Sequence, residues 1–412
     1  MGKNWDVDDI LERALQEEDP QRMDAVIARL VAEETMSRGS VLRRGAAAAA
    51  GLTILAAPAS ALARPARTRA TPPSRGTVAN YKTILAEAKK EGRLNTIALP
   101  PDWANYGEIM STFQRRFPIK ITNSNPNGSS AEENQAVRSL KSDSRAPDVL
   151  DVGPAFAIEG AKEGLYATYR NRFWGSVPPA MKDARGRWLA DYWGVVSFGV
   201  NTNVVKNVPR SWADLLKPEY ANQVALNGSP LSSGSAVAGV FSAALANGGS
   251  LANVGPGIAY FQRLKKAGNF VPVQATPQTI ASGQTPIVID WDYLNLAYIK
   301  EFPAARIAVS IPSDGVYGAY YCQAINATAP HPWAARLWQE FLYSDQGQLL
   351  WLKGYSHPAL FSDLVARKVV PAALLKALPN PASYSKVKFA SVAQNNKARA
   401  TLTTEWPKRV GS

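Results

Sequence analysis

Strand, loop and helix succeed one another three times between residues 94 and 160, and no other feature restricts the fold so far. Short runs rich in apolar and β-branched residues at 94–99, 119–122 and 147–152 read as strands. Helical spacing follows each of them, at 108–117, at 131–142 and after Gly153-Pro154-Ala155-Phe156; a further helix at 81–91, stopped by Gly92, comes first. Alternation of this kind builds a parallel sheet with helices on both faces. It also sets the strand-to-helix loops along one rim, where open α/β sheets bind ligands.

The next β run, 192–203, is longer than a usual strand of about 5–6 residues, long enough to pass from one lobe to another. A second lobe follows: a helix at 212–216, a strand at 223–226, a loop at 227–234, a helix through Leu245, a helix at 258–267 and a strand at 286–289 leading into a helix at 294–300. Residues 306–311 and 318–325 are again β, the latter as the return crossing, and helices at 333–342 and 346–351 would pack back on the first lobe. The expected division is therefore 78–192 with 325–412 for lobe 1 and 193–324 for lobe 2. A chain of 412 residues accommodates both lobes and a leader.

The leader has three parts. Residues 1–35 are acidic and carry amphipathic spacing at Ile10, Leu11, Ala14 and Leu15 and again at Val26, Ile27, Leu30 and Val31, which predicts a helical extension broken near Asp19-Pro20. From Met36 a charged stretch, an apolar run at 46–58 and small residues at 59–63 form an export signal, with cleavage after Ala61 or Ala63. Residues 37–43 are similar to the twin-arginine export motif, with Gly39 in place of its second arginine and Val41 in place of its phenylalanine. Residues 64–77, rich in Pro, Arg and Thr, read as a flexible tether.

Composition removes several classes of chemistry. Cys322 is the sole cysteine, so no intramolecular disulfide, cysteine-rich zinc module or iron–sulfur cluster can form. Both histidines, His331 and His357, precede proline and suit turns better than metal ligation. His-Glu-x-x-His, Gly-x-Ser-x-Gly and P-loop motifs are missing. The net charge of +13 is concentrated after residue 63, yet its Lys and Arg residues are scattered in ones and twos, as on a solvated surface and not a nucleic-acid stripe. Eleven Trp and fifteen Tyr favour large cores or an aromatic-lined pocket.

Residues 283–295 concentrate the candidate chemistry. The strand there breaks into Asp290-Trp291-Asp292-Tyr293, so two carboxylates and two aromatic rings arrive together at a strand end. Carboxylates flanked by π faces suit a small organic cation, each ring adding roughly 0.5–2 kcal/mol. The same residues also read as core rings and helix-capping acids. Leu231-Ser232-Ser233-Gly234-Ser235 heads a helix, which offers either an anion site or simple N-capping.

Three segments carry a family resemblance: 199–203 (Gly-Val-Asn-Thr-Asn), 211–220 (Ser-Trp-Ala-Asp-Leu-Leu-Lys-Pro-Glu-Tyr) and 223–226 (Gln-Val-Ala-Leu). Together with 147–151 and 335–344 they are similar to type II periplasmic solute-binding proteins, in the branch that serves ABC importers for iron(III), polyamines, thiamine and aminoethylphosphonate. The resemblance covers about 81–351 and implies a two-lobed α/β periplasmic-binding-protein type II fold, with two sheets, flanking helices and two interlobe crossings. It implies a solute held in the cleft, closure on binding and delivery to permease subunits, by a monomer exported to the periplasm or cell surface, without catalytic residues or cofactor. By position, the cleft residues would be Trp103, Tyr106, Ser129, Ser130, Phe156, Trp193, Ser232, Ser233, Ser235, Asp290, Trp291, Asp292, Tyr293, Tyr317 and Tyr320.

An iron-binding member would use adjacent tyrosines, here Tyr320 and Tyr321, although strand neighbours point to opposite faces. The residues favour a polyamine or other organic amine, with iron(III) or an aminophosphonate or phosphate-type anion as alternatives. An enzyme on the same scaffold would need a nucleophile and a positioned base; no histidine lies near the expected rim, which leaves Asp290 or Asp292 as a candidate carboxylate base. Asp292→Asn and Trp291→Ala are expected to weaken binding and leave the fold intact.

Overall fold

The computed structural model describes residues 71–141 and 143–411; the acidic extension, the export signal and residues 64–70 lie outside the described residues. Helix α1 (Val78–Glu91) begins at a reciprocal cap between Thr77 and Asn80 and ends at Gly92, whose φ of 62° favours glycine. Strand β1 (Arg93–Ile97), α2 (Tyr106–Arg116), β2 (Lys120–Ser124), α3 (Ser130–Leu140), β3 (Val149–Val152) and α4 (Pro154–Lys162) then complete the expected alternation. β1 and β2 pair in parallel, and Asp148 at the start of β3 is bonded to Asn95 of β1 through both backbone and carboxylate.

Strand β4 (Trp188–Asn201) is the long crossing, buried throughout except at Trp193. Lobe 2 follows with β5 (Val224–Leu226), α5 (Gly234–Ala246), α6 (Gly255–Lys266), α7 (Pro277–Ser282), β6 (Ile287–Trp291), α8 (Asp292–Glu301) and β7 (Ile307–Ser310). The return crossing is β8 (Gly318–Ile325), after which come α9 (Pro332–Leu342), α10 (Asp345–Lys353), β9 (His357–Pro358), α11 (Phe361–Ala366), α12 (Ala372–Ala377) and α13 (Val392–Arg409). The expected helix at 212–216 is only a single 3-10 turn, Asp214–Leu216. Asp214 turns its carboxylate back onto the N–H groups of Arg210 and Ser211, and Pro218 follows.

The pairing defines two lobes on one shared strand. The first half of β4 lies antiparallel to β8, which continues to β3, whereas the second half lies between β6 and β7, with β5 outside β6. A register shift between Ala190 and Trp193 kinks β4 in lobe 1. Among the described residues no helix is long and apolar enough to cross a membrane.

Two ends of the chain sit differently from the expected division. Residues 73–76, assigned to the tether, are held on lobe 1: the Gly76 N–H donates to the Arg170 carbonyl at 2.7 Å, and Arg336 donates to the Pro73 carbonyl at 2.6 Å. Residues 325–412, assigned to lobe 1, finish in α13, which lies against α4 of lobe 1 and α6 of lobe 2. Its Trp406 packs on Phe261 of α6, with ring centroids 5.4 Å apart.

Candidate ligand-binding site

Strand β6 delivers Asp290 to the junction of the lobes because it is paired on both sides and buried along its whole length. Parallel pairing sets Leu226 of β5 opposite Ile289, so Asn227, the next residue on that side, meets Asp290. Its amide donates to Asp290 Oδ2 at 2.8 Å, while Oδ1 accepts the Trp291 N–H at 2.8 Å. Burial pushes the Asp290 carboxyl up to about 7, and these two donors only partly offset it.

Five rings from both lobes gather beside it. Trp103, in the loop after β1, meets Tyr321 of β8 edge-on at 5.5 Å and Tyr293 at 6.2 Å. Tyr192, at the kink of β4, stacks on Tyr321 at 5.6 Å and meets Tyr293 edge-on at 5.6 Å. Trp291 lies parallel to Tyr293 at 6.2 Å and edge-on to Tyr321 at 6.1 Å. A Cβ added to Gly194 would fall 2.6 Å from the Tyr293 ring, so glycine is what lets the first turn of α8 lie this close to the crossing strand. The Tyr293 hydroxyl is buried without a hydrogen-bond partner. Since such a group costs roughly 1–3 kcal/mol, Tyr293→Phe should raise the stability of the ligand-free protein by about 1 kcal/mol and weaken solute binding. Chemical denaturation with and without solute measures both; a less stable variant with unchanged affinity would assign the hydroxyl to the fold alone.

Lobe 1 adds three more acids under the rings. Asp151 of β3 accepts from the hydroxyls of Tyr106 at 2.7 Å and Tyr192 at 2.9 Å, and Tyr192 in turn accepts from Trp103 Nε1 at 2.7 Å. Asp191 accepts from Gln323 at 3.0 Å, and Glu133 accepts the Asp151 N–H at 2.9 Å. Burial, followed by repulsion from Asp151, raises both Asp191 and Glu133, and burial raises Asp151. Asp292 completes a set of five buried carboxylates. The ion pairs that do hold a buried acid, Arg172–Glu340, Arg367–Asp345 and His331–Asp148, lie elsewhere; none of the five has a basic partner among the described residues.

The sequence-expected residues divide between this cluster and other places. Trp103, Asp290, Trp291 and Tyr293 come together, with Tyr106 one bond below through Asp151. Asp292 faces the crossings instead: Oδ1 accepts the Val195 N–H at 2.9 Å, Oδ2 accepts the Tyr384 hydroxyl at 2.6 Å, and burial raises its carboxyl to about 6. Trp193 stacks on His357 at 4.1 Å, away from the five rings. Tyr317 stacks on Phe241 at 4.8 Å, and Tyr320 lies on the opposite face of β8 from Tyr321, against Trp188, its hydroxyl donating to the Ala180 carbonyl.

The serines are occupied. Ser129 caps α3 in a box with Glu132, and Ser130 accepts the Gly153 N–H. Ser233 caps α5, and Ser233 and Ser235 both donate to the Asn227 carbonyl. The Ser232 carbonyl accepts the Ala131 N–H at 3.4 Å, a bond from lobe to lobe. Phe156 is buried at the start of α4. There the two lobes touch directly: a Cβ on Gly153 would lie 3.1 Å from Gly234 Cα, and one on Gly234 3.2 Å from Gly153 Cα. The expectation that Trp291→Ala leaves the fold intact does not hold for a ring only 1 % exposed, whose truncation costs about 3–5 kcal/mol.

Tyr321 was expected only as an iron ligand beside Tyr320, and Tyr192, Asp151, Asp191 and Glu133 were not among the expected cleft residues. An acid inside an otherwise apolar strand, as in Val149-Leu150-Asp151-Val152 and Leu189-Ala190-Asp191-Tyr192, was the signal that marks Asp151 and Asp191.

Two α/β lobes on a shared pair of crossings, with buried polar groups gathered where they meet, make up the two-lobed fold of the type II periplasmic binding proteins. Residues 144–395 match the bacterial extracellular solute-binding protein family, and the chain belongs to it. No curated protein sequence matches the chain. Among solved structures, the fold is similar to that of the periplasmic binding protein P5PA, with 17% identity and a TM-score of 0.62 over 77% of this chain and 99% of that one. AfuA from Actinobacillus pleuropneumoniae, with fructose-6-phosphate bound, gives 18% and 0.62 over 77% and 98%. AgtB from A. tumefaciens R10, in complex with agropinic acid, gives 15% and 0.63 over 78% and 99%. Since those two proteins hold unlike ligands on one fold, the solute here has to be read from the site.

Proposed function

We propose that this protein captures a small organic cation, an amine of the diamine or polyamine kind, between its lobes and delivers it to the permease subunits of an ABC importer. The observation that carries this reading is the set of four buried carboxylates, Asp290, Asp151, Asp191 and Glu133, beside and beneath five aromatic rings, with no basic side chain among the described residues to balance them. An ammonium group would supply the missing charge, accept the π faces of Trp103, Trp291 and Tyr321, and give Asp290 an ionised partner. The protein would act as an exported monomer outside the cytoplasmic membrane, released by the signal at 36–63, as the family name implies for its location.

The alternatives have less support. A phosphate-type anion would have to enter among acids, and the Ser233 and Ser235 hydroxyls that could receive it are already spent on the Asn227 carbonyl. An iron site of adjacent tyrosines needs both hydroxyls at one point, whereas Tyr320 and Tyr321 lie on opposite faces of β8. The family is one of binding proteins, and no nucleophile with a positioned base emerges at the rings.

The test is a thermal-shift and calorimetric comparison of the full chain with putrescine, spermidine, thiamine, aminoethylphosphonate, fructose-6-phosphate and iron(III). A ligand at 100 times its Kd adds about 2.7 kcal/mol of stability. Putrescine or spermidine should give the largest shift. Stabilisation by fructose-6-phosphate or iron(III) with none from any amine would reject the reading.

A further inference from the structure

We infer that Asp151 is a positioning residue that acts on the solute only through others: by way of Tyr192 it sets the orientation of the Trp103 ring among the five rings. The direction of the hydrogen bonds around it is fixed from both ends. At one end an indole N–H can only donate. The Tyr192 hydroxyl therefore accepts from Trp103 Nε1 at 2.7 Å, and its single proton goes to Asp151 Oδ2 at 2.9 Å. At the other end Trp338 Nε1 donates to Gln323 Oε1 at 3.3 Å, which turns the Gln323 amide nitrogen to the Tyr106 hydroxyl, 3.0 Å away. Tyr106 is thus an acceptor on that side and donates its own proton to Asp151 Oδ2 at 2.7 Å. One carboxylate oxygen on β3 orders the protons of four side chains, and Trp103 is the last of them.

The main chain clamps Trp103 independently. Ala104 and Asn105, the next two residues, have φ of 44° and 68°, a left-handed conformation that is costly for a residue with a Cβ. Asn105 is held there by its side chain, which donates to the Leu350 carbonyl at 3.0 Å. It also lies against Gly354, where an added Cβ would fall 2.7 Å from its own. A ring pinned by its N–H and by a constrained turn has little freedom to rotate, and it meets Tyr321 at 77° and Tyr293 at 74°. A tyrosine hydroxyl separates Asp151 from that ring, so what the acid contributes to recognition is geometry and not contact.

The effect on affinity rests on the amine reading above, whereas the effect on Trp103 does not, and the test reads the two separately. In the isotope-labelled full chain, the Trp103 indole N–H resonance is the one lost in Trp103→Phe. Tyr192→Phe keeps the Asp151 charge and breaks the relay: it should move that resonance upfield, speed its exchange with water and lower putrescine affinity about fivefold, the worth of one hydrogen bond. Asp151→Asn removes the charge and keeps an oxygen that accepts both hydroxyls: the resonance should stay near its wild-type position, and affinity should fall less than in Tyr192→Phe. A resonance unmoved in folded Tyr192→Phe would overturn the assignment. So would an Asp151→Asn protein that binds putrescine more weakly than Tyr192→Phe, since Asp151 would then be a direct partner of the ammonium group. Wild-type protein that binds no putrescine would reject the amine reading alone, and the resonance in the two variants would still decide the role of Asp151.

Discussion

Asp290→Asn is expected to lower affinity for an amine by about two to three orders of magnitude and, at pH 8, to make the ligand-free protein more stable. Removing one partner of a buried charge pair costs roughly 2–5 kcal/mol of binding. Without solute the same carboxylate has no cation to face. Raising its pKa from 3.8 to about 7 corresponds to about 4 kcal/mol of unfavourable burial once it is ionised, at about 1.4 kcal/mol per unit. Asparagine forfeits one of the hydrogen bonds from Asn227 and Trp291, about 1 kcal/mol, and removes the charge, leaving a net gain of about 2 kcal/mol or more. At pH 5 wild-type Asp290 is protonated and the gain vanishes. Urea denaturation of both proteins at pH 5 and pH 8 reads this directly. A variant less stable than wild type at pH 8 would mean that Asp290 is already compensated, and the cation reading would lose its main support.

The second large effect is on pH dependence. Asp290 and Asp292 have folded pKa values of about 7 and about 6, above the unfolded value near 3.9, so the native state binds more protons than the unfolded state between those limits. Stability of the ligand-free protein therefore falls as pH rises from about 4 to about 7 and flattens above. Asp151, Asp191 and Glu133 act in the same direction. His357, held neutral by burial with its pKa lowered to about 4, acts oppositely between about 4 and 6.5, but it is one group against several. Amine affinity should move the other way, rising from pH 5 to pH 7.5 as solute displaces protons from the acids. Calorimetry at pH 6 in two buffers of different ionisation enthalpy counts the released protons. Affinity that is flat or falls with pH would contradict the arrangement.

The sequence was most legible where local chemistry and tertiary position agree. Gly92 stops α1, the long β run crosses the lobes, and Asp290-Trp291-Asp292-Tyr293 stands at a strand end as its pattern predicts. It was least legible where one residue's role depends on a distant one. Asp292 looks the same in sequence as Asp290, yet its oxygens are taken by Val195 and by Tyr384, 92 residues further on. Tyr192 joins the rings because the register of β4 shifts at that point, and a kink inside a continuous apolar run leaves no compositional mark. Ser233 and Ser235 were readable as either caps or an anion site, and the Asn227 carbonyl decides for the local role.

Gly153 and Gly234 bring main chain against main chain where α4 and α5 begin. The width of the shut cleft at this point is accordingly set by the thickness of two peptide backbones, a dimension that no side-chain rotamer can adjust. A single added methyl group on either one acts as a wedge a few tenths of an ångström thick at the contact, and a lever arm turns that into a wider gap at the far rim. The limit of that approach is thus written into two missing carbon atoms, next to the Tyr321 hydroxyl, which a Cβ on Gly234 would meet at 3.5 Å.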